Sequence, residues 1–271
     1  MEIAHMIKEF RLLINGVEVD QNSNVGITSL MKGYLSFSPN QLGTLENAGK
    51  LMDNEVKFTD NAGNFDFIIP LNISSDFAED YLKVSMNVQL EIILTISNSD
   101  INSYIQTNAA AAAEEAVKTS TQLEKPRYVV FRFQTARKND ARKDASKFDL
   151  CNLRNIKLFL NSQSYPYGDL NLDIPHNQYA LLYHMYTVFQ TSYYNKEAEP
   201  LLSKMKFLDQ APLCVIDCSK QNEAIKSGPV DIRLEFESSN QFASNTTAYC
   251  LIIHDHIIEY NPISSTVCKL V

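Results

Sequence analysis

Residues 230–237 read VDIRLEFE, and Val230, Ile232, Leu234 and Phe236 alternate strictly with Asp231, Arg233, Glu235 and Glu237. Successive side chains of a strand point to opposite faces, so this octet is a strand with one apolar face and one wet face. The same habit spreads outward through residues 117–271. Strands are predicted at 128–135, 156–160, 213–218 and 249–260. The last is apolar at nearly every position, which predicts cover on both of its faces. This half is rich in aromatic, amide and turn residues and poor in groups that perform reactions.

The N-terminal half carries the same pattern more thinly. Residues 10–14 and 17–19 flank Asn15 and Gly16, the pair that favours a tight hairpin turn. Further strands are predicted at 34–37, ahead of Pro39, across FDFIIPL (65–71), and at 88–96, the cleanest alternation of this half. One long helix is expected over about 176–194, where Tyr179, Leu182, Tyr183, Tyr186, Phe189 and Tyr193 recur at three- and four-residue spacings. Residues 76–83 and 200–205 suit short helical turns. Many short strands, spaced turns and a single inserted helix predict an all-β fold of sandwiches or jelly rolls rather than a βαβ fold. The run Ala109–Ala113, followed by Glu114 and Glu115, is helical by propensity but specifies no packing. It reads as a linker or as a shortened, unassigned join, and divides the chain into 1–116 and 117–271.

Bulk properties narrow the function. The net charge of −8 opposes a phosphate-binding surface, whose affinity comes from Lys and Arg, so no strong direct nucleic-acid binding is expected. No run of 18 apolar residues predicts a transmembrane helix, and MEIAHMIKEFRLL lacks the features of a secretory signal. Five scattered cysteines predict no disulfide framework and fit a reducing compartment.

Candidate chemistry is sparse. His254 and His256 share a face of a strand, but a third metal ligand is not evident, so strand histidines are the simpler reading. Cys214 and Cys218 read as small core hydrophobes without a neighbouring base. Asp76, Glu79, Asp80, Glu197 and Glu199 suit helix starts or loops. The loop 136–148 interleaves Arg137, Lys138, Arg142, Lys143 and Lys147 with Asp140 and Asp144, which reads as a solvated excursion. No nucleotide-binding, hydrolase or metalloprotease motif is present. The expectation is therefore no catalysis, no cofactor and no metal. The tyrosines, 13 in the chain without a single tryptophan, cluster in one loop and the helix after it. They fill a helix-on-sheet core or form a contact between subunits, and Tyr165, Tyr167, Tyr193 and Tyr194 are the candidate assembly surface.

STQLEKPRYVVFRFQTARKN, CNLRNIKLFLNSQSYPYGDLNL, NQYALLYHMYTVFQTSYY, VIDCSKQNEAIKSGPVDIRLEFES and NTTAYCLIIHDHIIEYNPIS resemble the second module of the major capsid protein of Maverick/Polinton elements and related adintoviruses. FDFIIPL and FAEDYLKVSMNVQLEIILT resemble its first module. The resemblance implies a double jelly roll of two antiparallel β-sandwiches side by side, with short helical inserts. It implies homotrimers that form pseudo-hexagonal capsomers, tile an icosahedral virion shell with neighbouring capsomers, and meet a penton or minor capsid protein. Against the family pattern, the interval NSDINSYIQTNAAAAAEEAV is short, which predicts an incomplete or rearranged first jelly roll. Two other readings are a domesticated relative in a host genome and a lectin-like binding module.

Overall fold

The computed structural model describes residues 2–50, 66–80, 87–99, 102–103, 126–140, 142–161, 163–220, 230–255 and 257–270. From its N-terminus come β1 (Ile7–Ile14), β2 (Val17–Ser23), α1 (Val25–Ser36), α2 (Leu42–Asn47), α3 (Leu71–Ser74), α4 (Asp76–Asp80) and β3 (Leu90–Ile96). Next are β4 (Pro126–Thr135), β5 (Leu153–Leu160), β6 (Gln163–Tyr165), α5 (Ala180–Tyr194), α6 (Lys204–Gln210) and β7 (Cys214–Asp217). The chain continues through β8 (Ile232–Ser238), β9 (Thr246–His254), β10 (Ile257–Asn261) and β11 (Thr266–Leu270). All pairings between these strands are antiparallel, in sheets ordered β2-β1-β3, β7-β4-β9, β6-β5-β8 and β10-β11.

β4 is the axis of the larger core. On one face Phe131 and Phe133 meet Phe236 of β8, with ring centroids 5.4 and 5.2 Å apart, so sheets β7-β4-β9 and β6-β5-β8 pack as a sandwich. Ile156, Leu158 and Leu160 of β5 are buried in register with Phe236, Leu234 and Ile232 of β8. On the other face of β4, Tyr128 lies edge-on to Phe189 and Tyr193 of α5, at 5.1 and 5.6 Å. A strand covered on both faces needs apolar residues at consecutive positions, and YVVF supplies them.

The second core lies under β2-β1-β3. Phe10, Leu12 and Ile14 share one face of β1 and pack with Val19 and Val25. The hairpin turn between β1 and β2 has positive φ at both Asn15 (50°) and Gly16 (79°), the conformation that matches strand twist. The two halves exchange elements. Leu30, Met31, Tyr34 and Leu35 of α1 belong to the larger core, while Ile258 of β10 and Val267 of β11 pack on the smaller one.

Several expectations are corrected. Residues 34–37 are not a strand: Tyr34 and Leu35 continue the helix that starts at Val25. That helix is buried nearly all round, so it lacks the one-sided apolar stripe that betrays a helix in sequence. Gly26 lets it lie against His5, where a Cβ would clash. Over its described residues, 66–71, the FDFIIPL strand is also absent. Residues 66–70 are irregular and Leu71 opens α3, because Pro70 supplies no N–H to a ladder. The long helix begins at Ala180 rather than near 176, since Asn177 sits at φ 59° in a turn closed by an Asp173–Gln178 bridge. The short helix expected at 200–205 lies at Lys204–Gln210, capped by Ser203. The strand expected over 249–260 is interrupted at Asp255, and β9 is mostly half-buried, with Thr247, Ala248 and Cys250 exposed and Ile253 alone buried within it, rather than covered on both faces. The Ala109–Ala113 run and the 116/117 division lie outside the described residues.

Candidate assembly surface

Tyr165 ends β6 opposite Leu158, half-buried, with its hydroxyl donating to Gln163 Oε1 at 2.9 Å. A cis Tyr165–Pro166 peptide turns the chain, and Tyr167 then stands 96% exposed. Tyr193 is held inward, stacked on Phe189 at 5.1 Å. Tyr194 is also half-buried, its hydroxyl between Ser36 Oγ at 2.6 Å and the Glu79 carboxylate. Burial, followed by the charge of Glu79, pushes that phenol well above its ordinary range. Tyr167 alone of the four is presented freely; the others anchor the elements that carry it. Its chain neighbours Pro166 and Gly168 line an apolar groove of about 300 Å³ between α5 and the 166–170 loop. Leu170, Leu181, Met185 and Val188 line the groove.

The remaining sequence candidates are structural where they are described. Asp255 pairs with Arg127 at 3.3 Å, His254 ends β9, and His256 lies outside the described residues. Among the described residues no three His, Cys, Asp or Glu side chains are placed to share a metal ion. The thiols of Cys214 and Cys218 are pushed up to about 12 by burial, which keeps them protonated and inert. In the 136–148 loop the charges pair locally, Arg142 with Asp140 at 3.0 Å and Arg137 with Asp149 at 3.1 Å. Asp76 and Glu79 converge on Lys32, at 2.5 and 2.9 Å. Glu197 and Glu199 are exposed.

A buried polar junction joins the two cores, and sequence reasoning missed it. Ser29 of α1 donates to Glu2 at 2.5 Å, and Lys50 donates to the Leu30 carbonyl at 3.3 Å while its ammonium lies 3.9 Å from the centre of the Tyr34 ring. Arg132 of β4 is buried against Phe148, its guanidinium without a hydrogen-bond partner among the described residues. Burial raises Glu2 and pushes Lys50 down to about 8 and His5 down to about 3. Burial also lowers Arg132. Nearby, Tyr186 of α5 donates to the Tyr34 carbonyl at 3.0 Å and accepts from Leu202 N–H at 3.2 Å. Gln190 donates to the Phe37 carbonyl at 3.3 Å. These side chains satisfy carbonyls that the end of α1 would otherwise leave orphaned. The participants are scattered over the chain, so no local spacing signals them.

Among the described residues, then, polar groups are spent on joining elements, and apolar residues remain at the surface. Leu90, Ile92, Leu94 and Ile96 are exposed along β3, as are Tyr167, Met205 and Ile263. A family model described as a double jelly roll-like domain matches residues 2–117 and, again, 100–258. The chain belongs to the double jelly roll-like family. The all-β double jelly roll expected from the sequence is therefore its fold, built here from antiparallel sheets with a few short helices. No curated protein matches the sequence. Family membership is consistent with a capsid-type structural protein, and among the described residues no helix is long and apolar enough to cross a membrane.

Proposed function

We propose that this protein is the major capsid protein of a Maverick/Polinton or adintovirus-like element. Three copies form a pseudo-hexagonal capsomer, and capsomers tile the virion shell together with a penton or minor capsid protein. The observation that carries the reading is the double jelly roll match over both halves of the chain. The local use of nearly every ionic and hydroxyl group considered above supports a structural rather than a catalytic role. Two sandwiches, residues 1–116 and 117–271, form the subunit, and Tyr165, Tyr167, Tyr193 and Tyr194 contribute to subunit contacts, with Tyr167 the reaching side chain. A closed homotrimer uses a heterologous contact, one patch meeting a different one around the ring.

Sedimentation and electron microscopy of the purified protein test this. The expected result is a trimeric species and hexagonal capsomers or shells. Monomers at every concentration, with no capsomers or particles, overturn it.

A further inference from the structure

Lys32 lies in the body of α1 and is 5% exposed, yet its ammonium meets two carboxylates of α4. Nζ stands 2.5 Å from Asp76 Oδ1 and 2.9 Å from Glu79 Oε2, and it donates to the Asn72 carbonyl at 3.2 Å. The Glu79 side chain is 12% exposed and its other oxygen is held by the Tyr194 hydroxyl, whereas Asp76 is half-exposed. An ion pair needs only one carboxylate. With two on one nitrogen, the cluster holds a nucleophile in Lys32, an acceptor in Asp76 and a base in Glu79. Burial works against the Lys32 charge, but the Asp76 and Glu79 carboxylates outweigh it and raise the pKa. The nitrogen can therefore attack only where a base stands beside it, and Glu79 does.

We propose that Lys32 and Asp76 condense into an intramolecular isopeptide bond, with Glu79 as the catalytic base. An amine at hydrogen-bond distance from one carboxylate oxygen lies about 3–3.5 Å from the carboxyl carbon, a near-attack arrangement. Asp76 is the acceptor because it is the nearer and its open side lets water leave; Glu79 is pinned by Tyr194. Glu79 takes one proton from the ammonium, and the freed electron pair of Nζ attacks Asp76 Cγ. Glu79 passes that proton to an Asp76 oxygen, and a second nitrogen proton follows the same route. The bond from Cγ to that oxygen breaks, water departs, and the Nζ–Cγ amide remains. One ammonium and one carboxylate become one amide and one water, with no oxidant, reductant or further reactant. Such condensation is unfavourable between free groups in water, but fixed geometry supplies effective concentrations of about 10⁵–10⁸ M. The bond would tie the two cores together: α1 places Leu30 and Met31 in the larger, while Phe77 of α4 packs on the smaller. It also closes a loop, which restricts the unfolded chain. It forms within one chain and is independent of the capsid reading.

Mass spectrometry of the purified full chain under denaturing conditions tests this. The expected intact mass is that of the sequence less one water, and digestion should release a branched peptide joining Lys32 to Asp76. Lys32→Arg keeps a cation between the two carboxylates but removes the nucleophile, so it should fold, by circular dichroism, and show the full sequence mass. Glu79→Gln keeps both reacting groups and removes only the base, so the cross-link should form about 10²–10⁴-fold more slowly. A wild-type chain at the full sequence mass overturns the proposal, whatever the variants do. So does a loss of water that persists in Lys32→Arg, or that maps to Glu79 or to any other pair of residues. Cross-linking of folded Glu79→Gln at the wild-type rate overturns it as well. None of these outcomes bears on sedimentation or on particles, so the capsid reading stands or falls separately.

Discussion

The sheets around β4 and β1 have three strands each and opposite surroundings. β4 is sealed between the sheet β6-β5-β8 on one face and α5 on the other, whereas β1 is covered on one face and, among the described residues, its neighbour β3 pairs on one side only. The difference shows where the molecule spends its apolar residues. Around β4 they generate stability by burial; along β3 Leu90, Ile92, Leu94 and Ile96 stay exposed. The sharpest way to break this comparison is truncation on each side. Phe131 is 2% exposed and touches Phe133 and Phe236, so Phe131→Ala should destabilise by about 3–5 kcal/mol, the range for emptying a large core site. Leu94→Ala, at a half-exposed position, should cost less than about 1 kcal/mol in dilute monomer. Urea unfolding of the two variants checks the pair, and equal losses would mean that β3 is as much core as β4.

The next effect tests the junction between the regions. Lys50 is buried where α1 meets Glu2 and Tyr34, and burial pushes its pKa down to about 8 from an ordinary 10.5. A lysine with a lowered folded-state pKa binds fewer protons folded than unfolded, so this contribution to stability rises with pH between those values. Below pH 8 the penalty of a buried ammonium is fully present; above 10.5 it is gone. Relative to Lys50→Met, the wild type should therefore gain up to roughly 3 kcal/mol across that window. Comparing the two proteins cancels the opposite trend from buried tyrosines and cysteines. Urea unfolding at pH 7 and pH 10 measures the gain; a constant difference would place the ammonium in water.

The legibility of the fold followed the same divide. The strands around β4 were readable because their neighbours in sequence carry the signal: alternation in 230–237 and a continuous apolar run at 128–131. The hairpin at Asn15 and Gly16 was readable from two residues whose φ requirements are local. α1 was not, because a helix buried on all sides has no polar stripe, and Gly26 and Pro39 resemble turn signals. FDFIIPL alternates like a strand, yet Pro70 ends that option. The candidate surface was legible only as composition. A tyrosine cluster can be seen in sequence, but which ring turns inward depends on partners such as Phe189 and Glu79. The junction of Glu2, Lys50 and Arg132 left no trace, since its parts lie far apart in the sequence.

Whether the two regions unfold together is decided at Tyr186, where the smallest of these effects is expected. Its hydroxyl joins the Tyr34 carbonyl, at the end of α1 that enters the larger core, to the Leu202 amide, and all three groups are buried. Tyr186→Phe keeps the ring against Phe207 and Tyr183 while leaving a buried carbonyl and a buried amide without this partner. The loss should be about 1–2 kcal/mol, near the cost of one unsatisfied buried pair. Its location is more informative than its size. The sealed strand β4 retains its aromatic contacts on both faces, so native-state hydrogen exchange should quicken in α1 and β1 well before it quickens in β4. Uniform quickening would instead mean that the two sheets open as one unit, and that the polar junction is a bond within a single core rather than a seam between two.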